Sequence, residues 1–177
     1  MRLAFYTVVL VSLLLSGCDN KPTLQKYFVE SSEKKDFINL DVSPSIINTD
    51  KTKLTAEQKT ALESFDKMNI LAFKLDGKNK AQFEAESQKV AQILKGEDYQ
   101  QLMKFGSGKD AASVSFVGDM DHINEFVFYA KKKENGFAII RILGDDMNPN
   151  NIMNMISLLK DSKLDMEQLK PLQGLIK

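Results

Sequence analysis

The sequence has one cysteine, one histidine and no tryptophan. A single thiol excludes an internal disulfide, and a single imidazole leaves no His-rich metal site and few of the usual catalytic pairings. No sign of charge is in excess, because 24 Lys and Arg face 24 Asp and Glu. Nothing therefore steers the chain onto nucleic acid, and no nucleic-acid partner is expected. Repeats and low-complexity linkers are also missing, and 177 residues fit one domain of ordinary size.

What is present begins at the N-terminus. Arg2 precedes a mostly apolar stretch, Leu3 to Leu15, that falls short of the roughly 20 residues a transmembrane helix needs. Residues 1–17 therefore read as a signal peptide. They end Leu15-Ser16-Gly17-Cys18, which resembles the lipobox of bacterial lipoproteins. That resemblance implies cleavage before Cys18, a diacylglyceryl thioether on its sulfur, and an acyl group such as palmitate on the new amine. Two or three chains hold firmly, since each buried methylene contributes about 0.8 kcal/mol. The competing reading is a buried thiol behind an ordinary secretory signal. Losing residues 1–17 removes only Arg2, leaving 23 basic against 24 acidic groups and a mature net charge of −1. The expected location is the cell envelope, facing the periplasm or the cell surface, with the membrane as a partner through Cys18.

Residues 18–23 form a short polar tether containing Pro22, and the domain is expected to occupy residues 24–177. Leu24, Tyr27 and Phe28 have helical spacing, whereas Ile38, Leu40 and Val42 alternate as in a strand. Ser43-Pro44 reads as a cap with a first-turn proline, and Thr55 with Gln58 as a capping box for a helix carrying Leu62 and Phe65. Asn69 to Leu75 alternates as an inner strand, with Ile70 and Ala72 on one face and Leu71, Phe73 and Leu75 on the other. Asn79 is placed to cap a helix striped by Phe83, Val90, Ala91 and Leu94, with Gly96 as a left-handed stop.

Four strands are then expected, at Tyr99 to Phe105, Ala112 to Val117, Ile123 to Lys132 and Gly136 to Leu143. Glycine turns separate them, and Asn135-Gly136 is a strong hairpin signal. Asn148-Pro149 opens a helix with Ile152, Met155, Ile156 and Leu159 facing the core, and Met166, Leu169 and Leu172 suggest a short terminal one. The expected fold is α+β: a mainly antiparallel sheet of five or six strands with helices packed on one face.

The stretch from Phe37 to Leu159 resembles a family of uncharacterised Bacteroidetes lipoproteins defined only as a domain of unknown function. The strand Ile70 to Leu75, the segment Glu97-Asp98-Tyr99-Gln100-Gln101-Leu102-Met103 and the run Ile140-Arg141-Ile142-Leu143-Gly144-Asp145 carry it. It implies a sheet-and-helix domain on a lipid anchor and transfers no reaction, cofactor or site residue.

Among groups able to do chemistry, Asp119, Asp121, His122 and Glu125 are the densest set, and a carboxylate beside an imidazole can tune a general base. Polar residues also belong in a turn between strands, and the spacing is not that of a calcium loop. Gly106-Ser107-Gly108-Lys109-Asp110 fails as a phosphate loop, because Met103 and Asp110 stand where a glycine and a hydroxyl are needed. Asp145 and Asp146 read as favourable charge ahead of a helix, Lys131 to Lys133 as a charged hairpin end, and Met147, Met153 and Met155, with Met166, as core filling rather than an adaptable binding surface. The expected role is a non-enzymatic binding module without a cofactor, its partner an envelope protein or a small ligand. The alternative is a small envelope hydrolase using Asp121 and His122.

Overall fold

The computed structural model describes residues 21–46, 53–108, 110–161 and 170; the expected signal peptide, Cys18 and the expected terminal helix lie outside them. Helix α1, Leu24–Ser31, starts where Thr23 accepts a hydrogen bond from the Lys26 amide, and it buries Leu24, Tyr27 and Phe28. Strand β1, Phe37–Val42, follows, then a single 3-10 turn at Pro44–Ile46 in place of a longer helix after Ser43. Helix α2, Ala56–Glu63, has the expected capping box, with Thr55 and Gln58 each satisfying the other's backbone amide. It ends before Phe65, which begins β2, Phe65–Lys74, rather than closing the helix.

Helix α3, Lys80–Ile93, buries Phe83, Ser87, Val90 and Ile93. Asn79 precedes it without capping it: its side chain accepts from the Asp76 amide and donates to the Lys74 carbonyl, closing the turn instead. Gly96 is not left-handed, since α3 has already stopped at Leu94. Strands β3, Gln100–Ser107, β4, Asp110–Asp119, β5, His122–Lys132, and β6, Gly136–Met147, form a meander that helix α4, Pro149–Asp161, completes. Asn148 caps α4, accepting from the amides of Asn150 and Asn151.

The six strands make one sheet, ordered β1-β2-β6-β5-β4-β3, with every neighbouring pair antiparallel. The α+β class and the strand number match the expectation; the placement of helices on one face does not. Ile70, Leu71, Ala72 and Phe73 are consecutive and all buried, so β2 needs cover on both sides. On one face Ile70, Phe116, Phe126 and Ile142 pack with Ile152, Met155 and Leu158 of α4 and with Leu62 of α2. On the other, Leu71, Phe73, Val127 and Ile139 pack with Leu24, Tyr27 and Phe28 of α1 and with Phe83, Val90 and Ile93 of α3.

At the centre of this second layer, Phe73 stacks on Phe137 at 5.4 Å between ring centroids, with Phe37 edge-on at 5.1 Å and Phe83 tilted at 6.2 Å. Gly136 makes the packing possible: at φ 124° it turns the β5–β6 hairpin, and a Cβ there would strike the Phe73 carbonyl oxygen.

Candidate functional site

The acidic set around His122 does not form one cluster. His122 opens β5 opposite Asp119, and its Nδ1 lies 2.9 Å from Oδ1 of Asp146, a residue held at φ 50° near the end of β6. That hydrogen bond, followed by the Asp146 charge, raises the His122 pKa above its ordinary value. The side chains of the pair are 72% and 81% exposed, so solvent screens them. Asp146, read from the sequence as charge ahead of α4, thus also has His122 as a hydrogen-bond partner.

Glu125 is placed elsewhere. It is 8% exposed and receives two hydrogen bonds from Arg141, Nε at 2.7 Å and Nη2 at 2.9 Å. The remaining Arg141 nitrogen donates to Gln25 at 2.6 Å, and its guanidinium lies 5.3 Å from the Phe28 ring centre. This is a buried fork-to-fork ion pair that ties β5 and β6 to α1. Among the described residues no group of three or more His, Cys, Asp and Glu is arranged to hold a metal ion.

A second location has the shape of a site. The helix α1 and α3 side of the sheet loses its bulk toward β3, because β4 presents Ala111, Ser113 and Ser115 on that face ahead of Val117, and α3 faces them with Ser87 and Ala91. Small residues on both walls leave a cleft of about 250 Å³ between helix and sheet. The register sets its contents: Lys104 of β3 pairs with Ser113 of β4, Ser113 pairs with Tyr129 of β5, and Lys131 pairs with Ala111. Lys95, just beyond α3, completes the lining, which contains three lysines and no carboxylate. None of these lysines forms an ion pair with a described residue, whereas Lys34, Lys59 and Lys89 each pair with a glutamate.

Tyr129 lines the same cleft, is 8% exposed, and has a hydroxyl without a hydrogen-bond partner. Burial pushes its pKa up to about 12, with the charge of Glu84 adding in the same direction, so the phenol keeps its proton and stays a donor. Ser107 and Gly108 of the failed phosphate-loop sequence border this cleft; Gly106 and Gly108 have φ of 64° and 71° and turn the β3–β4 hairpin. On the opposite face of the same strands Met103 and Phe105 are exposed. Of the methionines expected in the core, Met147 and Met155 are buried, while Met153 is 60% exposed on the outer side of α4.

Residues 27–155 match the family described as Domain of unknown function (DUF4252). The chain belongs to this family. No curated protein and no solved structure matches it. The DUF4252 region spans all six strands and both halves of the sheet, so it includes the cleft and the Glu125–Arg141 pair. No described helix is long and apolar enough to cross a membrane.

The sequence did carry a signal for the cleft. Ala111, Ser113 and Ser115 alternate with Ala112, Val114 and Phe116, so one face of β4 is small and polar while the other is apolar. What periodicity omits is that α3 lies above that face with a serine and an alanine of its own.

Proposed function

We propose that this DUF4252 protein is a lipid-anchored, cell-envelope binding module that holds a small ligand in the cleft between α3 and strands β3, β4 and β5. The observation that carries the reading is a concave, small-walled cleft lined by three lysines without acidic partners and by Tyr129, whose buried hydroxyl has no hydrogen-bond partner. Buried donors without partners are rare in folded proteins because desolvating one costs about 1–3 kcal/mol, and a ligand acceptor is one means of offsetting that cost. The lipobox ending in Cys18 supports the anchor and the envelope location.

The anchor is tested by growing cells with labelled palmitate: label should enter the wild-type protein and be lost in Cys18→Ala, and an unlabelled wild-type protein would remove the lipid reading. Binding is tested by screening small fragments against isotope-labelled full-length protein by NMR. Amide shifts confined to Ser113, Ser115, Tyr129 and Lys131 are expected; shifts confined to the His122 turn would sink the cleft assignment. The rival hydrolase reading draws on the His122–Asp146 hydrogen bond, in which the partner is Asp146 instead of Asp121. Its test is turnover of ester and phosphoester substrates, with His122→Asn abolishing it.

A further inference from the structure

We propose that the ligand of the cleft carries a phosphate group, bound where Lys104 and Lys131 converge over the serines of β4. The inference rests on the binding-module reading and adds the chemical class. Lys104 and Lys131 stand on β3 and β5, on the same sheet face and with only β4 between them, Lys104 level with Ser113 and Lys131 level with Ala111, so two strand spacings and two residues of rise, roughly 12 Å on the diagonal, separate their positions. Two flexible four-carbon side chains are long enough to reach one bound anion between those positions. Lys95 approaches from the helix side. Three ammonium groups without a carboxylate in the lining concentrate positive potential in a concavity, where an anion is complementary.

The donor set selects among anions. Lysine holds phosphate as a point charge, and the serine hydroxyls of the β4 wall can donate to its remaining oxygens. A phosphomonoester has about −1.5 to −2 charge at neutral pH and three strong acceptor oxygens, against a single charge on a carboxylate. The ligand body is small, since the cleft volume of about 250 Å³ lies just under the usual range for ligand pockets, and Ala91 and Leu94 give it an apolar wall. Two sources supply this chemistry. A soluble phosphorylated metabolite is one. The other is a lipid headgroup, because Lys21 and Pro22, three residues after Cys18, line a neighbouring hollow with Ile93, Gly96, Glu97, Asp98 and Tyr99, next in the chain to Lys95.

The test uses the full-length, isotope-labelled protein in neutral detergent micelles. It is titrated with inorganic phosphate, with glycerol 3-phosphate, with acetate at matched ionic strength, and with micelles doped with phosphatidic acid. Saturable shifts at Ser113, Tyr129 and Lys131 are expected with phosphate probes and not with acetate, and Lys104→Gln/Lys131→Gln should weaken them at least tenfold while keeping a folded spectrum. A response to the soluble phosphates indicates a soluble ligand, and one to phosphatidic acid alone indicates the headgroup; either supports the proposal. It is overturned by an equal response to acetate, by no saturable response to any phosphate probe, or by an undiminished response in the double variant. A cleft that binds uncharged fragments but none of the phosphates would overturn the phosphate assignment and leave the binding module standing. Cleft silence toward every probe, fragments included, would remove both.

Discussion

The sheet face beneath α1 and α3 is built in two ways. Toward β1, β2 and β6 it carries Phe37, Phe73, Phe137, Leu71 and Ile139, closed by Tyr27 and Phe83 into a continuous aromatic and aliphatic layer. Toward β4 and β3 the same face carries Ala111, Ser113, Ser115 and Lys104, and the helix stands off from it. One half gives stability through area removed from water and ring contacts; the other gives up that area and keeps a concavity with charge around it. Stability and binding are thereby assigned to different residues, and the two halves should respond oppositely to mutation.

The largest effect is expected in the packed half. Phe73→Ala removes a fully buried ring that contacts three others, and a loss of about 3–5 kcal/mol is expected by chemical denaturation. A loss under about 1 kcal/mol would mean that the aromatic layer is not what holds this face.

Next comes the boundary between the halves, where Glu125 and Arg141 are buried. Glu125→Ala strands the guanidinium and should cost about 3 kcal/mol. Replacing both, as Glu125→Leu with Arg141→Met, should recover most of it, because an apolar pair of similar volume has no uncompensated charge. A double variant as unstable as the single one would show that Arg141 acts through Gln25 and Phe28 instead.

In the open half the sign reverses. Ser113→Val places a β-branched apolar side chain in the cleft and should raise stability by about 0.5–1 kcal/mol while abolishing ligand binding. A fall in stability would mean that the cleft is already filled. Tyr129→Phe removes a buried hydroxyl that has no partner, so the unfolding free energy should hold or rise by about 1 kcal/mol.

The smallest effect lies at the exposed pair. The folded pKa of His122 is raised, so the charged form is favoured in the native state. The resulting stability is fully present below the unfolded value near 6.5 and disappears as pH rises through the higher folded value. An NMR titration of the imidazole should therefore show a midpoint above 6.5 that returns toward it in Asp146→Asn, with no measurable change in the denaturation midpoint. An unaltered midpoint in Asp146→Asn would assign the shift to Asp121 and Asp119, whose charges also raise it.

Elements whose signals are local were legible in the chain. The capping box at Thr55 and Gln58, the Asn148 cap, the Asn135-Gly136 hairpin and the alternation through Ile70 to Phe73 all stand as read. Phe65 was misplaced because it fits the α2 stripe, and only the antiparallel pairing with β6 takes it into a strand. Glu125 was grouped with His122 because they are near in sequence. Their roles differ because strand pairing brings Arg141 to one and Asp146 to the other.

By itself, then, the sequence determined the α+β class, a sheet of five or six strands and the order of elements, since these follow from hydrophobic period and turn chemistry within about a dozen neighbouring residues. Tertiary structure alone decided that helices cover both faces, that Glu125 is buried against Arg141, and that a lysine-lined cleft opens at one end of the sheet. Each of these depends on which strands become neighbours and which helix lies over them, and such pairings join residues up to 116 positions apart, as Gln25 and Arg141 show.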